Sequence, residues 1–105
     1  MIKVRNLLTD AYNTAANQYE IIDDIARTVT FQSYDSIIAT IDRINQTITL
    51  YPAWDYSRTT DKYRNKFFKE NYFAELATTD ALRKALKAGK LEREYFTYTV
   101  QMAAE

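Results

Sequence analysis

The chain contains no Cys and no His, one Gly and one Pro, and no apolar run approaching the length of a bilayer span. Without Cys there is no disulfide framework, no thiolate nucleophile and no zinc-thiolate site, and redox compartment leaves no mark on the sequence. Without His the commonest general acid/base and transition-metal ligand is missing, which excludes Ser-His, Cys-His and HExxH chemistry and leaves only carboxylate, Lys, Arg and Tyr. Short, interrupted apolar stretches and the lack of an apolar core in Met1 to Asp10 predict neither a membrane span nor a signal peptide, and hence a cytoplasmic protein. One Gly and one Pro argue against long irregular loops, although they leave the tight turns hard to place.

What is present is aromatic and evenly charged. Nine Tyr, five Phe and one Trp accompany 14 cations and 14 anions in 105 residues. A chain of this length buries roughly two-thirds of its unfolded surface and supports one core, so residues 1–105 read as a single domain. Zero net charge removes any global pull towards nucleic acid or an anionic membrane.

Residues Val4 to Asn17 carry Val4, Leu7, Leu8, Ala11, Tyr12, Ala15 and Ala16 at helical spacing and predict an amphipathic N-terminal helix. Tyr19 to Asp23, Thr28 to Ser33, Ser36 to Asp42 and Thr47 to Tyr51 are β-rich runs that predict an antiparallel meander. Pro52 ends the sheet, and Thr59 or Thr60 ahead of Asp61 opens a helix to about Phe73. Thr78 or Thr79 opens a second helix that stops at Gly89. From Leu91 alternation resumes, with Phe96, Tyr98, Val100 and Met102 sharing one face of a returning strand. The expected fold class is α+β, with an antiparallel β-meander, helices packed on one face, an N-terminal helix and a C-terminal strand.

Leu50 to Phe73 holds the only Trp, the only Pro, an aromatic cluster and five cations. On a helix Lys62, Lys66 and Lys69 oppose Tyr63, Phe67, Phe68 and Tyr72. The stripe suits phosphate tracking beside stacking rings, or else a solvated face over an aromatic core, and the second is the commoner use. Tyr56 and Arg58 join the three lysines as candidate binding residues. Trp54 is expected to be buried between sheet and helix. Arg64, inside the apolar arc, requires a carboxylate, for which Asp55 is the nearest candidate ahead of the helix. No metal site is expected, although Glu92 and Glu94 share a strand face, and no cofactor or nucleotide motif is present.

Phe31-Gln32-Ser33-Tyr34, Ile38-Ala39, Ile48-Thr49-Leu50 and Trp54-Asp55-Tyr56-Ser57-Arg58-Thr59-Thr60, with Lys62-Tyr63 and Phe67-Phe68, resemble small proteins of unknown function carried by phages and mobile elements of Gram-positive bacteria. The likeness covers about Tyr19 to Glu94 and implies no reaction. It implies instead a non-enzymatic protein that binds and modulates a host protein, including inhibitors of defence nucleases of the anti-CRISPR type. The surplus of aromatics supports an interaction role. The alternative is a nucleic-acid-binding accessory protein using the basic aromatic helix 61–73. Oligomeric state is not readable from the sequence.

Overall fold

A computed structural model describes residues 1–104. The chain begins with a hairpin, β1 (Ile2–Leu8) and β2 (Thr14–Asp23), and continues through β3 (Thr28–Ser33), β4 (Ser36–Asp42) and β5 (Thr47–Leu50). Helix α1 (Arg58–Glu70), a 3₁₀ turn (Ala74–Leu76) and α2 (Thr79–Ala88) follow, then β6 (Lys90–Glu92) and β7 (Thr97–Met102). The seven strands form one sheet in the order β1-β2-β3-β4-β5-β7-β6. Strand β7 lies parallel to β5 and antiparallel to β6; all other neighbours are antiparallel.

Two expectations are overturned. No helix covers Val4 to Asn17: β1 and β2 pair from Ile2 opposite Asp23 to Leu8 opposite Thr14, and of the supposed helical stripe only Leu7 and Ala15 are buried. The 3.6-residue spacing arose across a hairpin, where ladder bonds and cross-strand contacts outweigh it. The α+β meander with one returning strand likewise gives way to a seven-stranded mixed sheet with two α-helices, because the chain after Gly89 makes two strands and the longer one inserts beside β5.

The tight turns need left-handed residues, and with one Gly available the chain fills them with Tyr12, Arg27, Tyr34 and Gln46, all at positive φ. Asp23 and Asp42 close two similar turns, each Oδ1 accepting two backbone N–H groups, from Ile25 and Ala26 at 3.1 and 3.0 Å and from Ile44 and Asn45 at 3.1 and 2.9 Å.

One sheet face carries Val29, Phe31, Ile41, Ile48, Leu50 and Val100 into the core. A register shift in the β3–β4 pair leaves Ile38 as an extra residue between Ile37 and Ala39, so Ile38 and Ala39 are both buried along with Ile41, while Ile37 is half-buried. Phe67 of α1 stacks on Phe31 at 5.7 Å, and Phe73 meets Tyr98 of β7 edge-on at 5.0 Å. The other face presents Thr30, Thr40 and Thr49 in successive register, with a 3.0 Å hydrogen bond between the first two hydroxyls.

Helix α1 starts three residues earlier than its sequence signal indicates. Ser57, not Thr59 or Thr60, is the N-cap, its Oγ accepting the Thr60 N–H at 3.1 Å, and the helix ends at Glu70, which leaves Tyr72 exposed beyond it. Thr78 caps α2 in the same way at 3.0 Å, and Gly89 ends it at φ 74°. Among the described residues no helix is long and apolar enough to cross a membrane.

Candidate functional site

The antiparallel order sends the β1–β2 turn, the β3–β4 turn and the loop after β5 to one end of the sheet. Three tyrosines stand exposed there: Tyr12 and Tyr56, each 84% accessible, and Tyr34 at 55%. The same end brings the FQSY and WDYSRTT strings together. The buried hydroxyls of Ser33 and Thr60 hydrogen-bond at 3.1 Å, and Ser57 Oγ donates to Thr60 Oγ1 at 3.1 Å, so one hydroxyl chain ties β3 to the first turn of α1. Between them lies a cavity of about 270 Å³, with Ser33, Tyr34, Ser36 and Ile38 on one wall and Ala53, Tyr56, Ser57 and Thr60 on the other. Its lining carries no charge. Two phenol rings flank it and hydroxyls rim it.

Arg58, the first residue of α1, is exposed and forms no ion pair among the described residues. A cation at a helix N-terminus opposes the helix dipole, which here is offset by Asp61 one turn on.

Beneath the loop, Arg64 is wholly buried and Trp54 is 7% exposed. The expected Arg64–Asp55 pair does not form. Arg64 Nη1 donates to the Trp54 carbonyl at 2.7 Å and to Asp61 Oδ1 at 2.9 Å, and Nη2 donates to Asn65 Oδ1 at 2.8 Å and Thr79 Oγ1 at 2.6 Å. Asp61 lies one turn before Arg64 on the same helix, so it reaches the guanidinium without leaving that face. Asp55 points outward to Arg83 at 3.6 Å. Burial pulls the Arg64 pKa below its ordinary value, against the nearby Asp61 and Asp55 carboxylates, which favour the charged form. The guanidinium also lies 5.4 Å from the Trp54 ring centre, so one side chain joins the loop, α1 and α2.

The lysine face is less basic than its sequence. Asp10, in the β1–β2 turn, stands 3.6 Å from Lys62 Nζ and 3.5 Å from Lys66 Nζ. Lys69 is exposed at the far end of the stripe and is followed by Glu70. Glu92 pairs with Lys90 at 2.9 Å, while Glu94 lies beyond the end of β6, so the two carboxylates do not share a strand face. Among the described residues no three Asp or Glu side chains gather as a metal site.

The structure thus places Tyr56 and Arg58 at the tyrosine-lined end, Lys62 and Lys66 beside it against Asp10, and Lys69 furthest away. Tyr12, Tyr34, Ser33 and Thr60 were not singled out by sequence reasoning as site residues. The available signal was Asn13 after Tyr12 and Asp35 after Tyr34, turn-favouring neighbours that put both rings at loop tips.

No curated protein and no solved structure matches this chain. A family model described as a family of unknown function (DUF8033) matches residues 2–84, from the first residue of β1 into the middle of α2. That span takes in the first hairpin, both halves of the tyrosine-lined cavity and every group that holds Arg64, and the chain belongs to this family of unknown function.

Proposed function

We propose that this protein is a non-catalytic binding module that docks on a partner protein through the end carrying Tyr12, Tyr34, Tyr56 and Arg58. The observation that supports this reading is backbone placement. Tyr12 and Tyr34 sit at φ 62° and 54°, where a non-glycine residue costs about 1–2 kcal/mol, and both expose their rings instead of packing them. The turns account for the left-handed backbone but not for the choice of an aromatic side chain, and three exposed tyrosines gathered at one end support contact with something else. Tyr and Arg are the usual anchors of protein interfaces, and the cavity between Tyr34 and Tyr56 offers a socket for one partner side chain. The resemblance to proteins of phages and mobile elements favours a host protein met in the bacterial cytoplasm as the partner. Inhibition of a defence nuclease is the narrowest form of this proposal.

The nucleic-acid reading has less support, because Asp10 offsets part of the charge of the first two lysines of the stripe and the chain has no net charge. Affinity capture from a Gram-positive host lysate tests the proposal, with wild type compared against a Tyr34→Gly/Tyr56→Ala variant of native circular dichroism. A protein retained by wild type and lost by the variant is the expected result. Equal recovery of the same proteins by both would overturn the assignment of this end as the binding surface.

A further inference from the structure

We propose that the outer margin of β1 is a strand-addition site for an extended segment of a partner protein in which acidic side chains alternate with apolar ones. Among the described residues β1 pairs only with β2, so one side of its backbone has no strand of these residues against it. The Asp24 N–H donates to the Met1 carbonyl at 3.3 Å, which makes Met1 and Asp24 a hydrogen-bonded pair. By the antiparallel alternation Lys3 and Arg5 then bond inward, opposite Ile22 and Glu20, and the N–H and C=O groups of Ile2, Val4 and Asn6 point outward. The straight ladder ends at the register shift between Asn6 and Leu8, so the free margin spans Ile2 to Asn6.

The side chains say what fits there. Ile2 and Val4, 64% and 63% exposed, line the open sheet face, while Lys3 and Arg5 are exposed on the other. Lys3 has no carboxylate partner among the described residues, and Arg5 stays 65% exposed while bonding Glu20 at 2.8 Å. A second copy is a poor occupant. Two-fold pairing centred on Val4 sets Lys3 against Arg5 of the copy, and centring on Lys3 or Arg5 sets that cation against itself. A strand with acidic residues opposite Lys3 and Arg5 turns each repulsion into attraction, and its intervening apolar residues continue the row made by Ile2 and Val4. This site is independent of the tyrosine-lined end.

The test is titration of the isotope-labelled full chain with a capped nonapeptide of alternating Glu and Val, followed by amide NMR and hydrogen exchange. We expect saturable binding, shifts centred on β1, and slowed exchange at Ile2, Val4 and Asn6. A Lys-Val peptide should bind about tenfold more weakly, and Lys3→Glu should reverse the preference. Val4→Pro removes one outward N–H and no β1–β2 bond, so it should abolish binding while the melting temperature holds. Shifts confined to α1 or to the tyrosine-lined end, equal affinity for both peptides, or no saturation would overturn the proposal. So would a concentration-dependent dimer whose interface maps to β1, since the edge would then belong to a second copy.

Discussion

Arg64 heads the fully enclosed side chains by volume, and its neighbours are acceptors: one backbone carbonyl, one carboxylate, one amide and one hydroxyl. Arg64→Met should therefore cost about 3–5 kcal/mol in urea unfolding, because the Trp54 carbonyl, Asn65 Oδ1 and Thr79 Oγ1 would lose their donor and half-buried Asp61 its partner. Arg64→Lys should recover little of this, since an ammonium cannot span the same fork of acceptors. Asp61→Ala should destabilise far more than Asp55→Ala, whose surface contact with Arg83 is worth at most about 1 kcal/mol. Comparable losses for the two would reinstate Asp55 as the partner. The need for a carboxylate was legible in the sequence, because Arg64 falls inside an apolar arc. Which carboxylate was not, since the loop before α1 has no periodicity from which to judge the reach of Asp55. The exposed tyrosines give a prediction of opposite sign. Tyr12→Gly and Tyr72→Gly should each stabilise the fold by about 0.5–1 kcal/mol, as both residues hold left-handed backbone with rings 84% and 80% exposed. A loss of stability would mean that the rings pack after all.

Turns govern what could be read at the level of elements. Strands β3 and β4 were legible to the residue because Ile, Val and Thr runs end at Ser33-Tyr34 and Asp42-Arg43. The first hairpin was not, because its turn holds no Gly or Pro and Tyr12 supplies the left-handed residue. The cap of α1 was misplaced because Ser57, Thr59, Thr60 and Asp61 all suit a helix start, and the choice fell to the burial of Thr60 against Ser33. Asp42 links a turn to pH. Burial works against its charge, yet the N–H and side-chain amide of Asn45 and the N–H of Ile44 hold its pKa below the ordinary value. With the folded pKa depressed, its stabilising effect is complete above the unfolded value and is lost as pH falls below about 4. Asp42→Asn keeps an acceptor for the turn but cannot ionise. Its deficit in melting temperature relative to wild type should shrink on acidification below about pH 4, and a constant deficit would dismiss the carboxylate. At the end of α2, an added Cβ on Gly89 would meet nothing within 4 Å. Gly89→Ala should thus cost only the left-handed penalty of about 1 kcal/mol, with no further loss from crowding.

For the molecule as a whole, equal numbers of cations and anions leave local arrangement to decide what the surface attracts. With Asp10 between Lys62 and Lys66, wild type should bind single-stranded DNA and RNA weakly at about 0.15 M salt, where the Debye length is about 8 Å. Changing Lys62, Lys66 and Lys69 to Glu should then alter nucleic-acid affinity little. Submicromolar, sequence-indifferent binding with a steep salt slope would return the basic helix to the centre of the function. The order of the sheet was the least legible property, because nothing local in Thr97 to Met102 specifies that it runs parallel to β5 or parts β5 from β6. That choice is made by packing, through Tyr98 against Phe73 and Val100 opposite Ile48. It also has a temporal side. A ribosome delivers β1 to β5 first, and a five-stranded meander can assemble as it emerges, but its far strand then waits through both helices for β7, with Thr47 meeting Thr99. During that interval the flank of β5 is open and Ile48 and Leu50 lack their final cover, so the nascent chain is most exposed to misassociation just before synthesis reaches β7. A nascent chain held with α2 outside the ribosome and β7 still within it should be protease-sensitive and chaperone-bound, and emergence of β7 should convert it to the resistant fold.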